Sequence, residues 1–264
     1  MNEVWVPEYI DVHTASVARM YDYYLGGGHN LEADRAAARA VIEVMPLMVP
    51  TARANRAFLQ RAVRACLDQG VRQFLDLGSG IPTVGHVHEI AHAVDPNAKV
   101  AYVDTDPIAV AHTELLLANV PAASITRADM TNPAQVLSAP GVADLLDFDR
   151  PVAVIVAAVL HFVANERNPK AILNTYRDAA APGSLLVFSH GAVSDLVEGT
   201  EVGELYQRTS HPLVGRTETE IAELLQGWQL LEPGLVEAND WRPEDLAEPP
   251  LQRTPMLAAV ASRP

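Results

Sequence analysis

The chain has 264 residues, 49% of them hydrophobic and 20% charged, which is enough to bury the core of one large domain. Its net charge of −14 argues against a nucleic-acid backbone or an anionic membrane as the main partner, because both need an excess of basic residues. One cysteine, Cys66, excludes an internal disulfide and favours a reduced, cytoplasmic setting. Residues 1–11 lack the apolar run of a signal peptide, and the apolar run at 152–160 is too short to span a membrane.

The first 70 residues predict an N-terminal helical cap, with helices at 14–25, 31–44 and 51–68. Thr14 and Asn30 are of the residue types that cap helix starts, and we expect them to begin the first two helices. Three glycines at 26–28 end the first helix, because they are too flexible to remain helical. Pro46 and Pro50 are expected to end the second.

Residues 71–264 predict a second unit, in which strands and helices alternate as in a doubly wound α/β sheet. Strands are predicted at 72–77, 99–103, 123–126, 152–158 and 184–189, and helices at 83–94, 107–118, 133–139 and 169–180. A helical insertion follows at 192–226. Two last strands, near 228–236 and 255–262, are expected to pair antiparallel at the sheet edge. The fold class is therefore α/β, with a seven-stranded Rossmann-like sheet.

The most informative stretch runs from Phe74 to Asp106. A buried strand leads into Asp76-Leu77-Gly78-Ser79-Gly80, where two glycines remove side chains at the point of ligand approach. The next strand ends on Asp104, the usual position of an acid that pairs with two ribose hydroxyls. No third glycine completes a dinucleotide motif, and Pro82 removes an amide that a pyrophosphate would need.

Asp76 suits a cationic ligand rather than an anionic one. Together with the glycines and Asp104, it indicates S-adenosylmethionine (SAM), which carries an ammonium and a sulfonium. The alternative is a purely structural strand and turn in another α/β protein.

A second motif, His88-Glu89-Ile90-Ala91-His92, matches the zinc-protease pattern His-Glu-x-x-His. The same helix must cover the sheet as the crossover of the SAM-binding unit, and no third ligand follows at a typical spacing. We therefore predict no metal site, an expectation that stoichiometric zinc in metal-free-purified protein would overturn.

The string at 16–30, from Ser16 to Asn30, is the most specific part of a family resemblance. Further matching pieces lie at 34–35, 53–56, 74–83, 102–107, 146–151 and 159–163. From about residue 12 onward the chain resembles an actinomycete-type family of SAM-dependent methyltransferases that is largely uncharacterised. The resemblance implies the methyltransferase variant of the seven-stranded sheet and SAM as cofactor. One departure is Gly28, where the family often has a lysine.

Nine residues are assigned to the cofactor: Asp76, Gly78, Ser79, Gly80, Asp104, Thr105, Asp129, Met130 and Ala157. The residues at 78–80 are expected to line the methionine part of SAM through backbone groups. The roles of Asp129, on the adenine amino group, and Met130, on the ring, are implied by the resemblance. Ala157 ends the fourth strand, where a small side chain leaves room for the ligand.

His161, Tyr21 and His29 are the candidates for catalysis, as a base or as a group that orients the substrate. We expect the turn at 26–30 to fold over the pocket and exclude water. His190 ends the fifth strand on the same side, and Arg53 and Arg56 are candidates for holding the substrate. For each of these residues a purely structural role stays open.

The expected activity is methyl transfer to an N, O or C nucleophile of a small molecule, in bacterial secondary metabolism. Two alternatives stay open: SAM chemistry without methyl transfer, such as cyclisation or elimination, and a non-catalytic SAM-binding protein. The helical cap is also a candidate surface for a homodimer.

Overall fold

The computed structural model describes residues 11–82, 85–192, 200–243 and 253–264. Within these ranges the strands are β1 Gln73–Leu77, β2 Lys99–Asp104, β3 Ala123–Arg127, β4 Ala153–Ala157, β5 Leu185–Gly191, β6 Gln229–Leu230, β7 Val236–Glu237 and β8 Met256–Ser262. The helices are α1 Val17–Tyr24, α2 Glu32–Val44, α3 Met48–Asp68, α4 Val87–Val94, α5 Pro107–Leu117, α6 Pro133–Ser138, α7 Pro140–Ala143, α8 Pro169–Ala179, α9 Glu201–Tyr206 and α10 Glu218–Leu224. None of the described helices has the length and apolar character needed to cross a membrane.

The strands form one sheet in the order β3-β2-β1-β4-β5-β8-β6, with β7 also paired to β8. The first five strands are parallel, and the order reverses after β1, so the ends of β1 and β4 lie at a topological switch point. The prediction of a doubly wound Rossmann-like sheet is confirmed. The helix expected from residue 83 begins at Val87, and residues 83 and 84 lie outside the described residues.

The predicted antiparallel pairing of the two C-terminal strand segments is confirmed, because β6 and β7 both pair antiparallel with β8. β8 lies inside the sheet, between β5 and β6, and pairs antiparallel with β5 over seven residues. The segment at 228–236 is divided into two short strands, since Pro233 lacks an amide hydrogen and Gly234 turns the chain. Within the described residues the sheet therefore has eight strands, one more than predicted.

Alternate residues of each strand enter the cores on opposite faces of the sheet, as the two-residue period of a strand requires. Phe74 of β1 packs with α3 and α4 on one face, and its neighbour Leu75 packs with α8 and α10 on the other. Helix α3 supplies one of the largest buried contacts, in which Phe58 meets Trp241 edge-on at 5.4 Å between ring centroids. Most of α3 thus packs on the sheet itself, as the helix that precedes β1.

A third group of apolar residues lies above the sheet, in what we call the helical cluster: α1, α2, the first turns of α3, and α9. Met20, Tyr24 and Val41 are buried in it, and Tyr206 of α9 joins them from the predicted insertion. The insertion and the N-terminal helices therefore form one packed unit over the C-terminal ends of the strands.

The helix boundaries in this cluster differ from the predicted ones. Ser16, not Thr14, precedes α1, and Leu31 precedes α2, because the Asn30 amide donates to Asp22 and to the Gly27 carbonyl. Helix α3 begins at Met48, so Pro50 lies inside its first turn. Proline is tolerated there because the amides of a helix's first turn have no partner within the helix.

The helical cluster is joined to the sheet by buried charges next to β2. Arg19 of α1 contacts Asp34 at 2.8 Å and Asp106 at 3.6 Å, and all three side chains are at most 9% exposed. Ser16 donates to Asp106 at 2.5 Å. Asp106 also caps α5 by accepting from Ile108 and Ala109. The Asp106 carboxylate thus holds both the start of α5, which packs on the sheet, and the start of α1.

Candidate active site

A cavity of about 750 Å³ lies between the C-terminal ends of the strands and the helical cluster. Its volume is within the range of roughly 300–1,000 Å³ that is typical of small-molecule sites. Eleven of the residues predicted from sequence line it: Tyr21, Asp76, Gly78, Ser79, Gly80, Asp104, Thr105, Asp129, Met130, Ala157 and His161. Arg56 lines it as well, whereas His29, His190 and Arg53 do not.

The glycine loop after β1 is held by backbone geometry. Gly78 and Gly80 have φ values of +71° and +68°, which side chains rarely allow. The amide of Gly78 donates to Val103 of β2, and a Cβ on Gly78 would lie 2.3 Å from the Val159 side chain. A Cβ on Gly80 would meet no atom within 4 Å, because that face of the loop opens toward the cavity. The first glycine is needed for packing, and the second leaves space.

Two buried carboxylates flank this loop. Burial raises the pKa of Asp76 to about 7, with Arg56 opposing the rise and Asp104 adding to it. Burial also raises the pKa of Asp104, although it accepts N–H bonds from Gly80 at 2.7 Å and from Asp106 at 2.8 Å. Two buried acids favour a ligand with a positive charge.

The residues present fit SAM in three respects. Asp104 accepts backbone N–H groups on both oxygens, with a smaller contribution from Thr105, and a carboxylate has about four acceptor positions, so acceptor capacity is left for a ribose hydroxyl. No described residue donates a hydrogen bond to the carboxylate of Asp76, so it can receive an ammonium group. The buried hydroxyl of Ser79 has no partner among the described residues and lines the same cavity.

The predicted adenine contact, Asp129, lies at the cavity but is already engaged. Its Oδ1 accepts from the backbone and the hydroxyl of Thr131, and its Oδ2 accepts from Arg167 at 3.2 Å. About one acceptor position is left for an adenine amino group. The neighbouring Met130 is buried, and its carbonyl accepts from Tyr176 at 2.8 Å.

His161 follows β4 in a short 3-10 turn, and its hydrogen bonds define its tautomer. The amide of Gly191 donates to its Nδ1 at 3.3 Å, so that nitrogen carries no hydrogen. Burial holds the pKa of His161 well below the usual value, with His190 and Arg216 adding to the effect. These contacts favour a neutral ring with its hydrogen on Nε2, an arrangement that suits a hydrogen-bond donor better than a base.

His190 is fully buried behind His161, at 5.3 Å between ring centroids. Its Nδ1 hydrogen bonds to the Gly191 carbonyl, and its Nε2 accepts from Arg216 at 3.0 Å. Burial lowers the pKa of His190 to about 3. Arg216 also donates to the carbonyls of Leu160 and Val163, so it fixes the turn that carries His161. These contacts favour the structural role of His190, which was one of its two predicted alternatives.

Tyr21 lines the cavity from α1, but its hydroxyl is used in packing. It donates to the Ala52 carbonyl at 3.0 Å and accepts from Asn55 at 2.8 Å. Asn55 in turn accepts from Ser189 of β5 at 2.5 Å, which links the helical cluster to the sheet. Burial raises the pKa of Tyr21, and a neutral hydroxyl with two partners is a poor base.

The glycine turn does not have the predicted position. None of residues 26–30 lines the cavity. Asp22 organises the turn instead, since it accepts from the His29 amide at 2.9 Å and from the Asn30 side chain at 2.8 Å. A Cβ on Gly27 would overlap the Asp22 carboxylate. The exposed His29 ring lies 4.2 Å from that of His112, away from the cavity lining.

The zinc-like motif has structural partners for its side chains. His88 contacts the Tyr102 hydroxyl through Nδ1 at 2.8 Å, and His92 bonds to the Ala98 carbonyl through Nε2 at 2.8 Å. Glu89 accepts from the amides of Gly85 and His86 at the start of α4. Across the part of the chain that the structure describes, no three potential ligands are grouped for a metal ion.

Sequence reasoning missed several residues of the site: Arg19, Asn55, Arg167, Tyr206 and Arg216. Arg167 contacts Asp129, 38 residues away along the chain, and Arg216 contacts residues 51 and 56 positions away. No local motif marks contacts of this kind. Tyr206 was within a predicted helical insertion, where its aromatic side chain was a usable signal. Its pairing with Tyr24, 182 residues earlier, had no signal in the sequence.

Comparison with known proteins agrees with this geometry. A family described as S-adenosyl methyltransferase matches residues 3–264. A candidate methyltransferase from Thermobifida fusca has 35% identity and a TM-score of 0.90, and the match covers 99% of both chains. A DUF574 family protein from Streptomyces avermitilis has 37% identity and a TM-score of 0.87, and the match covers 96% of this chain and 99% of that one.

A candidate SAM-dependent methyltransferase from Listeria monocytogenes shares only the fold, with 17% identity, a TM-score of 0.50, and coverage of 79% and 98%. No functionally curated protein matches the sequence. The resemblance to an actinomycete-type family is confirmed. The chain belongs to the S-adenosyl methyltransferase family, whose members are enzymes that use S-adenosylmethionine.

Proposed function

We propose that the protein transfers the methyl group of SAM to a small-molecule acceptor held in the same cavity. The observation that carries this proposal is that one cavity has two chemically different ends. The glycine loop and two buried acids form one end, and apolar residues of the helical cluster form the other. Cofactor and acceptor can therefore meet within one cavity.

Asp76 is proposed to hold the ammonium group of the methionine part, with the Ser79 hydroxyl and the open face of Gly80 beside it. Asp104 accepts from a ribose hydroxyl. Asp129, kept in place by Arg167, accepts from the adenine amino group. These contacts fix the cofactor at both ends and leave its centre facing the helical cluster.

SAM supplies an electrophilic methyl group, whose carbon bonds to the acceptor while the electron pair of the broken bond stays on sulfur. Alignment of the two reactants accounts for roughly 7–11 kcal/mol of barrier lowering in such reactions. His161 contributes a neutral N–H donor that orients the acceptor. Its Nδ1 is already bonded to the Gly191 amide, so the proton of the acceptor leaves to water instead.

The test is to identify the product made from SAM. Purified protein is incubated with SAM and panels of small nucleophiles, and the products are separated by mass spectrometry. S-adenosylhomocysteine (SAH) together with a methylated acceptor supports the proposal. Methylthioadenosine instead would indicate elimination or cyclisation, and SAM that stays intact with every nucleophile would indicate a non-catalytic SAM-binding protein.

A further inference from the structure

The end of the cavity that faces the helical cluster has its own chemical character. Its lining there includes Met48, Phe162, Val202 and Leu213, all apolar. The charged residue that α1 contributes, Arg19, is held at the junction by Asp34 and Asp106. Among the described residues of α1, α3 and α9, no carboxylate lines the cavity, and the lining residue Asp11, which precedes α1, is exposed and already accepts from the amides of His13 and Thr14.

Thr51, Ser210 and His211 also line the cavity beside these apolar residues, and two tyrosines there are paired through their hydroxyls. The hydroxyls of Tyr24 and Tyr206 lie 3.1 Å apart, and the two residues are 3% and 4% exposed. Burial raises the pKa of Tyr206 to about 12 and also raises that of Tyr24, so both keep their hydrogens at neutral pH. One hydroxyl hydrogen is used within the pair. No other described residue bonds to either hydroxyl, which leaves the second hydrogen for a ligand.

We propose that the methyl acceptor is an uncharged molecule with an apolar body, whose neutral oxygen accepts a hydrogen bond from the Tyr24–Tyr206 pair. The proposal deepens the function above and rests on it, because it assumes that SAM occupies the other end of the cavity. An ionised acceptor would lose its hydration among these apolar residues with little compensation, because Arg19 is already paired with two carboxylates and the charge of Arg56 acts on Asp76 at the other end. An apolar body with one oxygen would be matched by the lining, and its oxygen would satisfy the spare hydroxyl hydrogen.

The test is calorimetric titration of the protein at saturating SAH, which blocks turnover. The probes share one ring system: 2-naphthol, naphthalene, 2-naphthoate and 2-naphthylmethylammonium. We expect 2-naphthol to bind at least about tenfold more tightly than either charged probe, because a charge buried without a partner is costly. Comparable affinity for a charged probe, or no binding of 2-naphthol, would overturn the proposal.

The tyrosines are tested by Tyr24→Phe, Tyr206→Phe and the double variant. The double variant should weaken 2-naphthol binding by about two- to tenfold, the usual effect of one lost hydrogen bond, and leave naphthalene unchanged. Tyr23→Phe is the matched control, since Tyr23 lies on the same helix but does not line the cavity. Equal 2-naphthol affinity in the double variant and in Tyr23→Phe would contradict the role of the pair.

The SAH titration that precedes each probe separates the two proposals. If SAH does not bind, the proposed function fails and this inference fails with it. If SAH binds and the charged probes bind as well as the neutral ones, only the inference about the acceptor is wrong.

Discussion

The two ends of the cavity are built in different ways. At the sheet end, the ligand-facing groups are fixed by the backbone, through the glycine loop after β1 and the ends of β2 and β3. At the other end, they are fixed by side chains that meet across long distances in sequence, such as Tyr24 with Tyr206 and Arg19 with Asp106. Groups fixed by the backbone depend on the fold, whereas groups fixed by side-chain contacts depend on the particular sequence. We therefore attribute cofactor binding to the first end and acceptor choice to the second.

The largest expected effect concerns the junction between the helical cluster and the sheet. Arg19→Met leaves Asp34 and Asp106 buried without their cation, and removing one partner of a buried ion pair typically costs roughly 3–5 kcal/mol. Urea unfolding measures the loss, and hydrogen exchange shows whether α1 and α2 open first. Arg39→Met is the control, because Arg39 pairs with exposed Glu32 on the surface of the same cluster. If the two variants are equally stable, the junction does not depend on its buried charge.

Within the glycine loop, two substitutions separate packing from ligand space. Gly78→Ala and Gly80→Ala impose similar strain at positive φ, but only the first drives a methyl group into Val159. We expect Gly78→Ala to be less stable than Gly80→Ala by about 1–3 kcal/mol, the usual cost of overpacking. Thermal unfolding compares their stabilities, and SAH titration compares their affinities. Equal stability would show that the Val159 contact relaxes without cost.

The pH dependence of SAH binding tests the role of Asp76. Its pKa is raised to about 7 in the folded protein, so the ionised form that holds an ammonium group is lost below that pH. Affinity should fall by about tenfold from pH 8 to pH 6, in proportion to the ionised fraction. Asp76→Asn should bind SAH more weakly, without this dependence.

The raised pKa of Asp76 also affects the free energy of unfolding, but there a higher pH is unfavourable. A carboxyl with a raised pKa in the folded state binds a proton that the unfolded chain releases. The ligand-free protein should therefore lose stability as the pH rises from about 4 to about 7, and Asp76→Asn should lose less. A slope that is unchanged in Asp76→Asn would mean that Asp76 is not the group that titrates.

The smallest expected effect is at His161, whose imidazole ring we expect not to change its protonation near neutral pH. Because its Nδ1 accepts from the Gly191 amide and its pKa is held well below the usual value, its ring should stay neutral from pH 6 to pH 8. Nitrogen-15 NMR of the histidine rings, assigned with His161→Gln, would show a hydrogen on Nε2 throughout. A proton that moves to Nδ1 in this range would restore His161 as a candidate base.

The sequence predicted the sheet well because buried parallel strands are continuous apolar runs, and each one carries its own signal. The five parallel strands were found within about two residues. The error at Pro50 has a local cause, since a proline can end a helix or lie in the first turn of the next. The position of β8 between β5 and β6 has no local signal, because it depends on pairing across the chain.

The candidate site divides in the same way. The position of the residues near Gly78 and Asp104 at the cavity was predictable, because strand ends and glycines define where they lie. His29 was predicted to face the ligand from the composition of its turn, but the contacts with Asp22 that orient the turn leave no pattern along the sequence. The pairing of Asp129 with Arg167 was equally invisible, since the two are 38 residues apart.

Calorimetric titration with SAH, on the wild-type protein and on Asp104→Asn, tests the central claim that the sheet end of the cavity binds the cofactor. The account predicts saturable one-to-one binding to the wild type. It also predicts a loss of about ten- to hundredfold in the variant, because hydrogen bonds to a charged group contribute roughly 1.5–3 kcal/mol. Equal affinity of the two proteins, or no binding to the wild type, would contradict the account.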